Sequence, residues 1–210
     1  MKRTNPILLA MLFATLGCVS TPPPLPPRPP VMPPEEVEYS NDVFGGSDSV
    51  KIIFRSNWAK TGPKLNSINM MGRISRITIH HDAMFTTETS RAWAANRIRG
   101  IQRAHFSRGW ADIGYHFVID PNGRIWEARP LKYQGAHVSN HNEGNIGIVV
   151  LGDFDQQAVN SAQKISLKAL VDHFCKTHRI PKTRIYTHGE LNTTACPGKN
   201  LQAYVNELRK

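Results

Sequence analysis

The sequence predicts an α/β domain built on a central mixed β-sheet flanked by helices, and three observations predict it. From Lys51 onward, short runs rich in Ile, Val and aromatics alternate with longer amphipathic stretches. One of these runs, Ile146-Gly147-Ile148-Val149-Val150-Leu151, is apolar at successive positions, as expected of a strand covered on both faces. Two stretches, 89–106 and 161–177, space their apolar residues at helical intervals.

Taken in order, Ile74 to His80 is the first expected strand. The helix over 89–106 follows, with Trp93, Ile98, Ile101 and Phe106 inward and Arg97, Arg99 and Arg103 on a solvated face. Tyr115 to Ile119 and Arg124 to Ala128 read as two strands. Asp120-Pro121-Asn122-Gly123 between them supplies turn chemistry and makes a hairpin. Ile146 to Leu151 is the central strand. The helix over 161–177 carries Ile165, Leu167, Leu170, Val171 and Phe174, with Ser161 as its expected N-cap. A brief strand from Arg184 to Thr187 ends on His188, and Leu201 to Leu208 gives a short last helix. There is no internal repeat.

Ahead of this domain the chain of 210 residues carries two segments that cannot build a core. Lys2 and Arg3 precede the apolar run 7–16, which stops at Gly17-Cys18 and is too short to span a bilayer as a mature helix. This is an export signal over residues 1–18. Ending on Gly-Cys, it resembles a bacterial lipoprotein signal, which makes Cys18 the lipidation site and anchors the chain to a membrane. Thr15 departs from that pattern, leaving plain cleavage or an uncleaved anchor as alternatives. Residues 19–50 form a tether. Nine of the 15 prolines fall in 21–34, favouring an extended polyproline spacer of roughly 40 Å. Residues 35–50 then hold five acidic groups and no Lys or Arg.

The domain over 51–210 keeps 23 Lys and Arg against 11 Asp and Glu. Such an excess suits an anionic partner, and the export signal argues against nucleic acid. Of the three cysteines, Cys18 belongs to the signal and Cys175 to a helical pattern, so no disulfide is expected. The third, Cys196, stands eight residues after His188 in a loop rich in turn formers. Imidazole and thiolate are preferred zinc ligands, and His80 or His81 at the end of the first strand offers a third. Two His and one Cys leave a tetrahedral ion one open position, the arrangement of a catalytic site for one Zn²⁺. Alternation along a strand prevents His80 and His81 from both facing it.

Several further blocks recur around these residues: Arg55-Ser56-Asn57-Trp58, Ile101-Gln102-Arg103-Ala104-His105, Gly109-Trp110-Ala111-Asp112-Ile113-Gly114-Tyr115-His116-Phe117, Gly123-Arg124-Ile125-Trp126-Glu127-Ala128-Arg129, Gly135-Ala136-His137 and Asn142. In their order and spacing they resemble the zinc amidases of the peptidoglycan recognition protein family, the type 2 N-acetylmuramoyl-L-alanine amidases. The resemblance implies hydrolysis of the amide joining N-acetylmuramic acid to L-alanine in peptidoglycan. It implies His80, His188 and Cys196 as zinc ligands, leaving His81 a packed histidine. Tyr115 matches the catalytic tyrosine, whose phenol would hydrogen-bond the attacking water or the oxyanion. Thr194 matches a supporting hydroxyl.

By the same resemblance Gly109, Trp110, Arg129, His137 and Asn142 are substrate-binding positions, with Gly109-Trp110 and Arg129 pointing to diaminopimelate-type stems. A loop-stabilising role is the alternative for each of Trp110, Arg129, His137 and Asn142. Val149 stands where cytoplasmic recycling relatives carry glutamate, and Ala128 where a glycine is common, a methyl group that could alter how closely substrate approaches. The rival reading is a recognition protein that binds peptidoglycan without cleaving it. A monomer is expected, exported to the cell envelope.

Overall fold

The apolar runs pair into one six-stranded sheet in a computed structural model of the chain, which describes residues 50–210. The export signal, Cys18 and the tether through residue 49 lie outside the described residues. The strands are β1 (Ile52–Ile53), β2 (Arg76–His81), β3 (Phe117–Ile119), β4 (Ile125–Glu127), β5 (Asn145–Val150) and β6 (Ile185–Thr187). They stand in the order β1-β4-β3-β5-β2-β6. The β3–β4 hairpin is antiparallel and the other neighbours are parallel, so the expected mixed sheet is present. The helices are α1 (Arg91–Ser107), α2 (Ser161–His178), the short α3 (His188–Leu191) and α4 (Lys199–Leu208).

Both faces of the sheet are covered, which explains why β5 is buried along its whole length. On one face Ile77, Ile79, Ile146, Ile148 and Val150 pack with Leu167, Leu170 and Phe174 of α2 and with Leu201 and Val205 of α4. On the other, Val118, Trp126 and Val149 meet Ala94, Ala95, Ile98 and Ile101 of α1. Trp126 is fully buried and donates its indole N–H to Asp120 at 2.8 Å, so the largest ring in that layer leaves no unpaired donor. The alternation that turns Ile77 and Ile79 toward α2 sends Thr78 and His80 toward the α1 layer.

Several boundaries differ from the sequence expectation. The two-residue β1 is too short to give an alternation signal, and Val50, placed at the end of the tether, is buried in the core. The cap of α2 is Asn160, not Ser161. Its side chain accepts from Gln163 N–H at 2.9 Å while the Gln163 side chain returns to the Asn160 N–H, a reciprocal capping box. Ile165 lies outward at 70 % exposure, and Gln163 is buried in its stead, donating to the Leu151 carbonyl.

Tyr115 lies two residues ahead of β3 instead of opening it, although its carbonyl still accepts the Arg129 N–H at 2.9 Å. The rings of Tyr115 and His116 both approach His137, at 6.4 and 5.8 Å. Ala128 is fully buried in the α1 layer, so its methyl group fills core space.

Candidate metal centre and adjoining groove

Two parallel neighbours in the sheet bring the first two ligands together. β2 delivers His80 near its end, and β6, paired to it through Ile79↔Thr187, ends one residue before His188. The ring centroids of His80 and His188 are 4.7 Å apart. A second capping box fixes where His188 emerges: the Thr187 N–H donates to Glu190 at 2.7 Å, starting α3 at the histidine. Glu190 is clamped in turn by Arg209 at the end of α4.

Cys196 closes the set from the same loop. The Gly189 N–H donates to the Cys196 carbonyl at 2.7 Å, and the Cys196 N–H donates to Thr194 Oγ1 at 3.2 Å. These bonds leave Cys196 Sγ 3.8 Å from His80 Nδ1, while it also accepts the His81 N–H at 3.4 Å. One ligand atom from each of His80, His188 and Cys196 lies within 4.8 Å of the other two. A tetrahedral zinc with ordinary Zn–N and Zn–S bonds has N···S edges of about 3.5 Å, so the set fits that ion with small adjustments. His81 faces the other layer, stacks on Phe154 and accepts its backbone N–H at 3.4 Å.

The charge states suit a cation. Burial, then the neighbouring His137, His188 and His81, holds His80 well below the usual histidine range, and burial lowers His188. Both rings therefore offer neutral nitrogen at pH 7. Burial pushes the Cys196 thiol up to about 11, against the opposing His81 N–H, so a cation held there would be needed to make it a thiolate. Tyr115 lies with its ring 5.1 Å from that of His80. Burial, then the nearby Cys196 and Asp82, raises its phenol above the ordinary value, so it stays a proton donor.

Beside the centre, Gly109, Trp110, Arg129 and Asn142 line one cavity of about 340 Å³, together with residues 67–69. Gly109 takes φ +80° after the end of α1, a conformation that favours glycine. Arg129 is 3 % exposed and donates to the carbonyls of Ile113, Asp112 and Gln134, so it braces the groove wall as well as lining it. Asn142 Oδ1 accepts the N–H groups of His137 and Val138. His137 is not among the lining residues. It is buried behind His80, and both its ring nitrogens are engaged within the protein.

Two supporting residues escaped the sequence reading. His105 accepts the Gly114 N–H at 2.9 Å and meets both Trp110 and Tyr115 in tilted ring contacts, at 4.5 and 5.7 Å, linking groove to metal centre. Its place in the Ile101 to His105 block was the available signal. Asp82 pairs with Arg97 at 2.7 Å and accepts the Gly152 N–H, pinning the chain just after the ligand-bearing strand.

The family profile described as N-acetylmuramoyl-L-alanine amidase (Amidase_2) matches residues 70–199. The chain belongs to this family. Among curated relatives of this amidase-family chain, Peptidoglycan-recognition protein SC2 of Drosophila melanogaster is 34 % identical over 162 residues, covering 76 % of this chain and 85 % of the relative. The structure of Drosophila PGRP-LB is similar at TM-score 0.68 and 30 % identity, over 74 % of this chain and 92 % of that one. The N-acetylmuramoyl-L-alanine amidase LysC from Clostridium intestinale is similar at TM-score 0.62 and 26 % identity, over 75 % and 97 %. A further similar structure holds tracheal cytotoxin bound to the ectodomain complex of PGRP-LCa and PGRP-LCx, at TM-score 0.68 and 30 % identity, over 74 % and 95 %.

Proposed function

We propose that this protein hydrolyses the amide between N-acetylmuramic acid and L-alanine in peptidoglycan, using one Zn²⁺ held by His80, His188 and Cys196. The observation that carries the reading is the convergence of those three ligand atoms within 4.8 Å, from residues up to 116 apart in the chain, beside the Tyr115 ring. When bound there, zinc supplies Lewis acidity toward the scissile carbonyl and toward water.

The chain's own groups do the rest. Tyr115, kept protonated by its surroundings, donates to the carbonyl oxygen as it gains negative charge. Thr194 accepts the Cys196 N–H through its oxygen and keeps its own proton to donate toward the same oxygen. The cavity lined by Gly109, Trp110, Arg129 and Asn142 holds the stem peptide, with a guanidinium in its wall to favour the extra carboxylate of a diaminopimelate stem. Val149, fully buried beside His80 in the paired strand, contributes no acid or base.

We place the protein in the cell envelope as an exported monomer, anchored to a membrane through lipidated Cys18 and spaced from it by residues 19–50. The competing reading is binding without hydrolysis, favoured by the recognition-protein names of the curated relatives. The retained ligand set favours hydrolysis. Purified sacculi separate the two: hydrolysis releases free stem peptides beginning with L-alanine, stops with a chelator and resumes with zinc. Sacculi that retain the protein and release nothing would establish the recognition reading.

A further inference from the structure

Against His80 of the candidate metal centre lies a further histidine, His137, whose contacts with the ligand ring go beyond the substrate-binding role that the resemblance implies. His137 Nε2 is 3.2 Å from the Asn145 carbonyl, and His137 Nδ1 is 3.0 Å from His80 Nε2. The two rings meet edge-on, with 89° between their planes. A carbonyl oxygen can only accept, so the proton on His137 sits at Nε2. A neutral His137 then presents a lone pair at Nδ1, and His80 must meet it with an N–H at Nε2. That leaves the lone pair of His80 on Nδ1, the atom 3.8 Å from Cys196 Sγ.

The His137 ring is packed closely against two glycines. A Cβ built on Gly147 would come within 2.5 Å of His137 Cδ2, and one on Gly135 would do the same. Asn142 fixes its backbone by accepting both the His137 and Val138 N–H groups. The start of the chain of bonds is equally fixed. Asn145 opens the buried central strand, and its side chain is bonded to Thr78 and to the His141 carbonyl.

We propose that His137 is a positioning residue that sets the tautomer of His80, forcing the proton onto Nε2 and aiming Nδ1 at the metal position through a relay anchored on the Asn145 carbonyl. It rests on the metal-centre reading above for the identity of the ion, and on geometry alone for the tautomer. The relay also orients the ligand ring before any ion arrives, so less ordering is left for binding to supply.

The test has two arms. Long-range ¹H–¹⁵N correlation of the metal-free full chain at neutral pH reports the tautomers: His80 and His137 each protonated at Nε2 and bare at Nδ1 is the expected result. Zinc affinity is then measured by competition with a chromophoric chelator for wild type, His137→Asn and His137→Leu. Asparagine can place an acceptor oxygen near the lost Nδ1 and keeps affinity close to wild type. Leucine has no acceptor and lowers it by about 10–100-fold, the usual span for removing an outer partner of a ligand histidine. A proton on Nδ1 of His80 in the wild-type protein overturns the proposal, as does a folded His137→Leu protein that binds zinc as tightly as wild type. If neither variant folds, the wild-type spectrum decides alone. Correct tautomers and tight zinc in a protein that releases no stem peptide would instead count against the hydrolase reading, leaving the relay standing.

Discussion

Cys196 Sγ and His80 Nδ1 lie 3.8 Å apart although 116 residues separate them in the chain. Their meeting depends on the β2–β6 pairing and on the loop that folds Cys196 back over Gly189. Exchanging Cys196 for Ser removes the soft ligand. Zinc affinity should drop by more than the ~100-fold that outer-partner changes reach, with peptidoglycan digestion lost in parallel. Metal content after dialysis and peptide release from sacculi check this. A Cys196→Ser protein with full activity would remove the metal centre from the mechanism.

Tyr115 offers a separation of binding from chemistry. Tyr115→Phe keeps the ring against His80 and deletes only the donor. Zinc binding should be unchanged, while kcat on a muramyl peptide falls roughly 10²–10³-fold, the usual cost of one donor to a developing oxyanion. An equal loss of zinc would mean that the ring supports the site structurally.

How much of this could be read from the sequence follows from which signals are local. Helical periodicity marked α1 and α2, each of which buries a patterned face, whereas β2 and β5 were marked by short apolar runs that the fold buries almost throughout. The two-residue β1 and the N-cap at Asn160 were not legible, the first for want of length and the second because Ser161 is an equally good capping type. Tyr115 lies two residues ahead of its strand, an offset within what pattern reading resolves at an element's end. The position of His137 was hidden for a different reason. Its Gly-Ala-His context was visible, but the Gly147 space that admits its ring behind His80 exists only once β5 is placed.

The ligand loop should also show acid sensitivity. The Arg209 hydrogen bond, chief among several contacts, holds Glu190 at about 2 in the folded chain against an ordinary 4.5. A depressed carboxylate contributes stability above its unfolded value and loses it as pH falls toward the folded one. Wild type should therefore lose thermal stability between about pH 4.5 and 2 more steeply than Glu190→Gln. Melting temperatures of both across that window measure it; parallel curves would show the clamp to be energetically silent.

Gly147 is expected to tolerate no side chain. A methyl group would meet His137 Cδ2 and Cγ at 2.5 and 2.7 Å, between a buried strand and a ring bonded at both nitrogens. Gly147→Ala should cost about 1–3 kcal/mol of stability by overpacking and weaken zinc binding as His137 is displaced. Chemical denaturation and chelator competition report the two effects separately.

Zinc K-edge absorption of the reconstituted protein addresses the metal centre most directly. The account predicts one sulfur at about 2.3 Å with two imidazole nitrogens and one further light atom at about 2.0 Å, and loss of the sulfur shell in Cys196→Ser. A zinc environment without sulfur in the wild-type protein would contradict it.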